Sequence, residues 1–276
     1  MRGQCMAGGA AMARSGSEDT LAQGSFVRVL RAEALKSMHG APVRLAIVLA
    51  LPFPLLAAFV ALSVPQFGLS YSPWNYWYAL LMPVSITLIA ATVANADARL
   101  GNHTLLSSGV PLHLAWGAKV AWCLALLLLS NLVVFAVYAV MSLVVPQGAA
   151  SMSAMLAVAL ALTVMGSWMI PATHFLTMRV GMLAGVFVPL AVQLALSLGW
   201  SVVPFWPACP PAATIVLPTA FLPVLPSGEP ASPGMALVES ISQGPDVALA
   251  LIVAAVLTAA LTAAGAVWLD RSEELR

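Results

Sequence analysis

Residues able to do chemistry are few in this chain of 276 residues, and they avoid its long apolar runs. The four histidines, His39, His103, His113 and His174, lie between these runs or at their edges. A haem in a helix bundle needs histidines on facing helices. The sequence also contains no GxxxxGK[ST] phosphate loop, no HExxH and no CxxC. We therefore expect no catalytic residues, no metal site and no bound cofactor in this chain, which makes an enzyme an unfavoured interpretation.

Two polar residues inside the apolar runs, Asn131 and Gln193, could line the route of a transported substrate. Hydrogen bonding between helices is the commoner role for such residues, and this alternative stays open. Three tryptophans, Trp74, Trp77 and Trp206, could contact an amphipathic substrate. An aromatic belt at the membrane surface is the alternative explanation for them.

Composition shows which solvent surrounds most of the chain. Hydrophobic residues make up 61% of the sequence and charged residues only 8%, whereas soluble domains carry about 25% charged residues. Six apolar runs are long enough to cross a hydrocarbon core of about 30 Å. We expect an all-α membrane protein with six transmembrane helices, at residues 44–64, 74–94, 119–145, 152–173, 180–200 and 247–269.

The distribution of basic residues predicts how these helices are oriented. Three segments between the runs contain no Lys or Arg, namely 65–73, 146–151 and 201–246. Because Lys and Arg accumulate in cytoplasmic loops, both termini are predicted to be cytoplasmic, in a bacterial inner membrane. Residues 1–25 are predicted to be a disordered tail, 26–270 the transmembrane domain, and 271–276 a short cytoplasmic tail.

Ionisable residues are not expected in the interior of any span. Lys119 and Arg44 begin two of the predicted spans, where their long side chains could reach the headgroup region. Ionisable groups deep in a membrane mark proton or ion paths. Their expected absence argues against an ion-coupled transporter and suggests that the energy source lies outside this chain.

Three segments are predicted to lie outside the spans. Leu21–His39 has apolar and basic residues at helical spacing, which favours a helix in the cytoplasmic interface, or a simple basic flank. Asn95–Ala118 is the one inner loop large enough to offer a partner a surface, although it could be a solvated connector. Within Ser201–Asp246, the proline-broken stretch Thr214–Leu225 is too short to span and favours a re-entrant hairpin, with a proline-rich external loop as the alternative.

Small residues repeat every four positions along the last predicted span. They are Ala250, Ala254, Thr258, Thr262 and Ala266. Such a stripe allows another helix to approach closely, which favours tight packing or dimerisation. The span is so rich in alanine that this repeat is a weak indication.

Five local motifs, in this order, resemble those of a known family. They are Glu33-Ala-Leu-Lys36, Trp74-Asn-Tyr-Trp77, Leu106-Ser-Ser-Gly-Val-Pro111, Ala118-Lys119 and Trp206-Pro-Ala-Cys-Pro-Pro211. Their layout over residues 26–270 resembles the ABC-2-type permeases, and most closely the permease subunits of lantibiotic-immunity ABC transporters.

This resemblance implies six spans per subunit, a second permease subunit that is a copy or a relative, and a separate cytoplasmic ATPase that binds ATP and Mg²⁺. The ATPase-docking residues it implies are Glu33, Lys36, Asp97, Arg99, His103 and Pro111. The implied substrate is an amphipathic, lantibiotic-like peptide, exported for self-immunity. The alternatives are another drug or lipid substrate, or a structural or regulatory membrane protein that transports nothing. Nothing suggests a nucleic-acid partner.

Overall fold

The fold is described from a computed structural model that covers residues 26–38, 40–98, 111–232, 234–243 and 245–274. These residues form helices joined by turns, and an isolated bridge between Val224 and Pro230 is the only β pairing among them. The helices are α1 (26–37), α2 (Ala41–Val48), α3 (Pro52–Ser63), α4 (Ser72–Tyr76), α5 (Met82–Ala98), α6 (Leu112–Val144), α7 (Met152–Gly166), α8 (Met169–Arg179), α9 (Met182–Leu198), α10 (Pro210–Val216), α11 (Ala236–Gln243) and α12 (Asp246–Glu274).

Five helical stretches of the described chain are long and apolar enough to cross a membrane. They are Ala41–Ser63, Ser72–Ala96, Leu112–Val144, Met152–Arg179 and Asp246–Arg271. The helix at the position of the fifth predicted span, α9, has 17 residues and is about 26 Å long. The all-helical fold is therefore confirmed for the described residues, and its five long apolar helices are compatible with a multi-pass membrane protein. The count of six spans stays a prediction.

Prolines interrupt two of the predicted spans. The first span is divided between Val48 and Pro52 by a turn, as its two prolines predict. The second span contains a π-helical turn, Trp77–Leu81, directly before Pro83. Because a proline has no N–H to donate and its ring crowds the preceding turn, a widened turn at this point accommodates it.

Contacts place the basic segments together at one end of the bundle, which we call the basic end. Lys119 near the start of α6 reaches Glu33 of α1, and His113 Nδ1 lies 3.6 Å from Asp270 Oδ2 near the end of α12. At the opposite end, the segments without Lys or Arg meet. Leu69 N donates to Gln147 O over 2.8 Å, and the side chain of Asn75 donates to the backbone of residues 225 and 226.

The loop predicted at Asn95–Ala118 is shorter than expected. Helix α5 continues to Ala98, and α6 begins at Leu112, directly after Pro111. Residues 112–118 continue the third helix because they contain no proline, and Ala115 and Trp116 of this segment are buried. Residues 99–110 lie outside the described part of the chain.

The apolar segment after α9 is enclosed by protein. Every residue from Pro210 to Thr219 is buried, through α10 and the 3₁₀ turn Leu217–Ala220 that follows it. The chain then reverses near Gly228, whose φ of +89° is readily adopted only by glycine. The buried segment starts four residues before the predicted hairpin. Enclosure by protein is what a re-entrant segment requires, and its depth in a membrane stays a prediction.

Neither an aromatic belt nor direct contact with a substrate fits Trp74 and Trp77, because both are enclosed by protein. Trp74, Trp77 and Tyr78 are fully buried. Trp74 lies against Tyr138 with ring centroids 4.6 Å apart, and Tyr138 also stacks on Tyr71 at 5.2 Å. These side chains form the core at the end opposite the basic one, because the helices that carry them face one another.

The small-residue stripe of α12 packs within the chain. Ala250 and Ala254 are fully buried, and Thr258 Oγ1 lies 2.6 Å from Ser167 Oγ of the turn between α7 and α8. Further along, Trp116 Nε1 donates to Thr262 O over 3.0 Å. The indole lies directly over Gly265, where an added Cβ would sit 2.2 Å from Trp116 Cζ2.

Replacing Gly265 by Ala is expected to destabilise the fold, because the new methyl group displaces the Trp116 ring and its hydrogen bond to Thr262. We expect a loss of about 1–3 kcal/mol, although Ala favours a helix over Gly by about 1 kcal/mol. Thermal unfolding of the purified protein in detergent measures this change. The control Ala264→Val adds volume on an exposed position of the same helix. Equal thermal unfolding midpoints for Gly265→Ala and Ala264→Val would contradict the close contact between Gly265 and Trp116.

Candidate functional site

The candidate site is a buried group of polar side chains at the basic end, formed by Glu33, Lys119, Cys123 and His174. We call it the Glu33 cluster. Three helices contribute to it, since Glu33 comes from α1, Lys119 and Cys123 from α6, and His174 from α8. Ionisable groups buried in a membrane protein are costly and usually functional. The geometry of this cluster therefore identifies it as the strongest candidate site among the described residues.

The carboxylate of Glu33 bridges two lysines. Lys119 Nζ donates to Oε2 over 3.3 Å, and Lys36 Nζ donates to Oε1 over 3.1 Å. The side chains of Glu33 and Lys119 are each only 6% exposed, whereas that of Lys36 is 49% exposed. The pair with Lys119 is thus shielded from water, while the pair with Lys36 is an ordinary helix-surface contact at i,i+3 spacing.

Local sequence explains why Glu33 points into the protein. Glu33 and Ser37 are one turn apart on α1, and both are buried. Ser37 Oγ donates to the Glu33 backbone carbonyl over 2.9 Å, so this polar face has its hydrogen bonds satisfied within the helix. Phe26 packs over Gly117 of α6, where an added Cβ would lie 3.6 Å from Phe26 Cε2. Helix α1 is therefore seated on the first turns of α6 by both an apolar and an ionic contact.

Cys123 and His174 extend the cluster deeper into the bundle. Cys123 follows Lys119 by one helical turn, and its Sγ lies 3.6 Å from His174 Nε2. The Trp116 ring meets the imidazole edge-on, with centroids 5.7 Å apart. A thiol donating to a neutral imidazole accounts for this contact, since a thiol is a weak donor and a neutral ring offers one acceptor nitrogen.

Two hydroxyls next to His174 on α8 have no hydrogen-bond partner among the described residues. They belong to Thr173 and Thr177, which are both buried. Helix α9 comes very close here, because a Cβ on Gly185 would lie 2.0 Å from Thr177 Oγ1. Unsatisfied buried groups are uncommon in proteins, so this junction of α8 and α9 is closely packed but leaves buried hydroxyls without hydrogen bonds.

Two residues that were predicted at a span edge or in a loop lie within helices, while their depth in a membrane stays a prediction. Lys119 is the eighth residue of α6 instead of the first, and its ammonium contacts Glu33. His174 belongs to a continuous span of 28 residues, Met152–Arg179, instead of a loop. The sequence contained one usable signal: residues 112–118 continue a helical pattern with no proline, which moves Lys119 inward by two turns.

The predicted docking residues have different environments. The Glu33 carboxylate is enclosed by protein, Lys36 is half exposed, and Pro111 is exposed at the start of α6. Asp97 lies on α5, but its side chain is outside the described part, as are Arg99 and His103 entirely. Their docking role stays a prediction.

Asn131 joins three helices of the bundle. Its Oδ1 accepts from Trp77 Nε1 over 3.1 Å, and its Nδ2 donates to Thr163 Oγ1 over 3.1 Å. Thr163 Oγ1 in turn donates to Ala159 O over 2.8 Å. Asn131 thus forms the hydrogen bonds between helices that were one of its two expected roles. Trp77 and Asn131 are both buried.

The other substrate-route candidates differ in their contacts. Gln193 is buried, its Nε2 donates to Pro211 O over a long 3.4 Å, and its Oε1 has no partner among the described residues. Trp206 is partly buried against Ala213, Leu217 and neighbouring apolar residues. Trp74 is enclosed in the aromatic core. Only Trp206 among the three tryptophans keeps some exposure.

An apolar groove runs along the surface between α6 and α7. Its volume is about 380 Å³, and it is lined by Ala121, Leu124, Ala125, Leu128, Leu160, Thr163 and Val164. Thr163 connects the groove to the Asn131 hydrogen bonds. A lining of this kind suits hydrocarbon and offers little to a polar ligand.

The arrangement defines a class of protein, a multi-pass, all-helical membrane protein with a buried ion pair at one end. Comparison with known proteins goes no further, since no protein-family model, no curated protein and no solved structure matches the chain.

Breaking the Glu33–Lys119 pair is expected to loosen α1 from α6. Glu33→Ala leaves a buried ammonium behind, which costs on the order of 3–5 kcal/mol. Lys36→Ala is the control, because a half-exposed pair contributes about 0–1 kcal/mol. The measurements are the thermal midpoint and the rate at which a thiol reagent labels Cys123, in a Cys5→Ser/Cys209→Ser background.

Glu33→Leu with Lys119→Met removes both charges and is expected to recover most of the lost stability. Unchanged labelling in Glu33→Ala would contradict the pair's structural role.

Asn131 and Gln193 are expected to respond differently to the loss of their amides. Asn131→Leu leaves the Trp77 N–H without its acceptor and costs about 1–3 kcal/mol. Gln193→Leu removes one long hydrogen bond and one buried oxygen that has no partner among the described residues. The thermal unfolding midpoint of this variant is therefore expected to equal or exceed that of the unchanged protein. Thermal unfolding of the two variants provides the comparison. Combining Asn131→Leu with Trp77→Phe is expected to cost less than the sum of the single changes, and strict additivity would contradict the contact.

Proposed function

We propose that this chain is the membrane-spanning permease subunit of an ABC exporter in a bacterial cytoplasmic membrane. It has six spans, with α9 as the fifth, both termini in the cytoplasm, and the segment around α10 re-entering the outer leaflet. A separate cytoplasmic ATPase binds and hydrolyses ATP, and a second permease subunit completes the complex. The proposal builds on the resemblance of the five motifs to ABC-2-type permeases and on the multi-pass helical fold.

One observation supports it most directly: α1 is joined to α6 through the buried Glu33–Lys119 pair. Helix α6 has 33 residues, so it runs about 50 Å from the basic end to the opposite end. Near its far end, Tyr138 packs on Trp74 and its hydroxyl donates to Ser70 O. A displacement of α1 by a partner at the basic end is therefore passed along one rigid element to the other end.

The basic end is the proposed docking site of the ATPase. At the basic end, α1 and the segment between α5 and α6 accept the ATPase, with Lys36, Asp97, Arg99, His103 and Pro111 as the docking residues. Nucleotide moves the permease only to the extent that it binds its two states with different affinity. Glu33 acts behind this surface, because its carboxylate holds α1 on α6.

The substrate is an amphipathic molecule taken from the membrane, a lantibiotic-like peptide in the closest resemblance, and its export protects the producing cell. The apolar groove between α6 and α7 is open to such a molecule from the lipid side. Trp206, Asn131 and Gln193 remain the candidates for its route, with Trp74 and Trp77 behind them in the core.

Copurification tests the proposal. The tagged full-length chain is isolated from its own host with mild detergent, and an ABC ATPase is expected to accompany it. Replacing residues 99–110 by a Gly/Ser linker of equal length preserves α5 and α6 and is expected to abolish this association. The same replacement of residues 2–13 is the control.

Deletion of the gene is then tested against membrane-active peptides, and increased sensitivity is expected. A chain that purifies without an ATPase, and whose loss leaves peptide sensitivity unchanged, would be a structural or regulatory membrane protein.

A further inference from the structure

The exposed face of α1 combines large apolar side chains with arginines. Val27, Leu35 and Met38 are 63%, 61% and 54% exposed. Arg28 and Arg31 lie on the same side of the helix and are also exposed. A face turned wholly to water would not carry three exposed apolar side chains within twelve residues, and a face turned wholly to hydrocarbon would not carry two arginines.

The orientation of this face is fixed by the opposite side of the helix. Glu33 and Ser37 are buried, and the Glu33 ion pair with Lys119 prevents α1 from rolling about its axis. The exposed apolar surface also continues along the chain. After a short turn, Ile47 and Val48 at the start of the first span are 37% and 61% exposed. Helix α1 therefore lies where lipid-facing surface gives way to the charged end of the bundle.

Arg28 and Arg31 are exposed in the described part of the chain. Neither forms an ion pair with a described residue. A guanidinium matches the geometry of a phosphate group with two parallel hydrogen bonds. Its aliphatic stem can lie along apolar surface while its head reaches the headgroup region.

We propose that the exposed face of α1 binds the headgroups of anionic phospholipids, with Arg28 and Arg31 on the phosphates and Val27, Leu35 and Met38 among the first methylenes of the acyl chains. The combination of apolar exposure and positive charge favours this partner, because anionic leaflets attract basic residues held at their surface. Docking of a protein on the same face is the competing outcome. The inference does not depend on the proposed transport function.

The test uses the purified full-length chain in neutral detergent and titrates it with phosphatidylglycerol or phosphatidylcholine, counting bound lipids by native mass spectrometry. Phosphatidylglycerol is expected to bind more tightly than phosphatidylcholine. Arg28→Gln with Arg31→Gln is expected to weaken the tightest phosphatidylglycerol site roughly 25-fold, or about fivefold per arginine. Binding of phosphatidylcholine is expected to stay within about twofold.

Arg179→Gln with Arg271→Gln is the matched control, because it removes two exposed arginines of the basic end that do not belong to α1. It is expected to change the tightest site by less than about twofold. Arg28→Lys with Arg31→Lys keeps both charges and is expected to retain most of the affinity. Each single Arg→Gln variant provides a second measurement with a smaller change to the surface.

Three results would overturn the inference. The first is an equal loss of phosphatidylglycerol binding in the two Arg→Gln double variants. The second is displacement of the lipid by millimolar inorganic phosphate, which would indicate a site for the free anion. The third is unchanged lipid binding together with loss of a copurifying protein, which would assign the face to protein docking. The two proposals can be tested apart. If Arg28→Gln with Arg31→Gln loses lipid binding but still copurifies with an ATPase, the lipid site and the ATPase association are independent.

Discussion

Helices surrounded by lipid gain little from burying apolar side chains against one another, because lipid tails are as apolar as those side chains. Close packing and a small number of polar contacts must hold the bundle together instead, and this constraint explains most features of the fold. Glycines mark the close approaches, as where Gly265 meets Trp116 and Gly185 meets Thr177. Among the polar contacts, Asn131 joins Trp77 to Thr163 by hydrogen bonds.

The buried ion pair between Glu33 and Lys119 is the most demanding of these contacts. Removing two charges from water is unfavourable, and such a pair often contributes less to stability than an apolar replacement. The pair fixes how α1 is placed on α6, because the Glu33 carboxylate reaches the Lys119 ammonium only in one register and one rotation of α1. The same contact sets which face of α1 is exposed, so the arginine-rich surface and the buried cluster are two consequences of one interaction.

Helix α6 connects the two ends of the bundle. It carries Lys119 and Cys123 near one end, Asn131 in its middle and Tyr138 near the other end. Each of these residues contacts a different helix or loop, so α6 touches the basic-end cluster, the central hydrogen bonds and the aromatic core. Chains of packed side chains on rigid elements carry coupling between distant sites when they have two alternative arrangements.

Much of the fold could be predicted because it depends on local properties. The apolar runs and the prolines of the first two spans follow from composition and short-range order, and the described part of the chain has helices at these runs and irregular turns near these prolines. Boundaries were less certain, since a helix such as α6 can continue past the apolar run when nothing breaks it. As a result, Lys119 was predicted at the start of a helix in which it is the eighth residue.

By itself, the sequence determined that the chain crosses a membrane several times as helices, because lipid leaves the backbone no other way to satisfy its hydrogen bonds. Only the tertiary structure decided what the polar side chains do. Glu33 and Lys119 are 86 residues apart, and Cys123 and His174 are 51 apart. From the sequence, Trp74 and Trp77 could equally have formed an aromatic belt at the membrane surface. In the structure, the packing of their helices buries both side chains. Pairings of this kind depend on how helices are arranged in space, which no local pattern encodes.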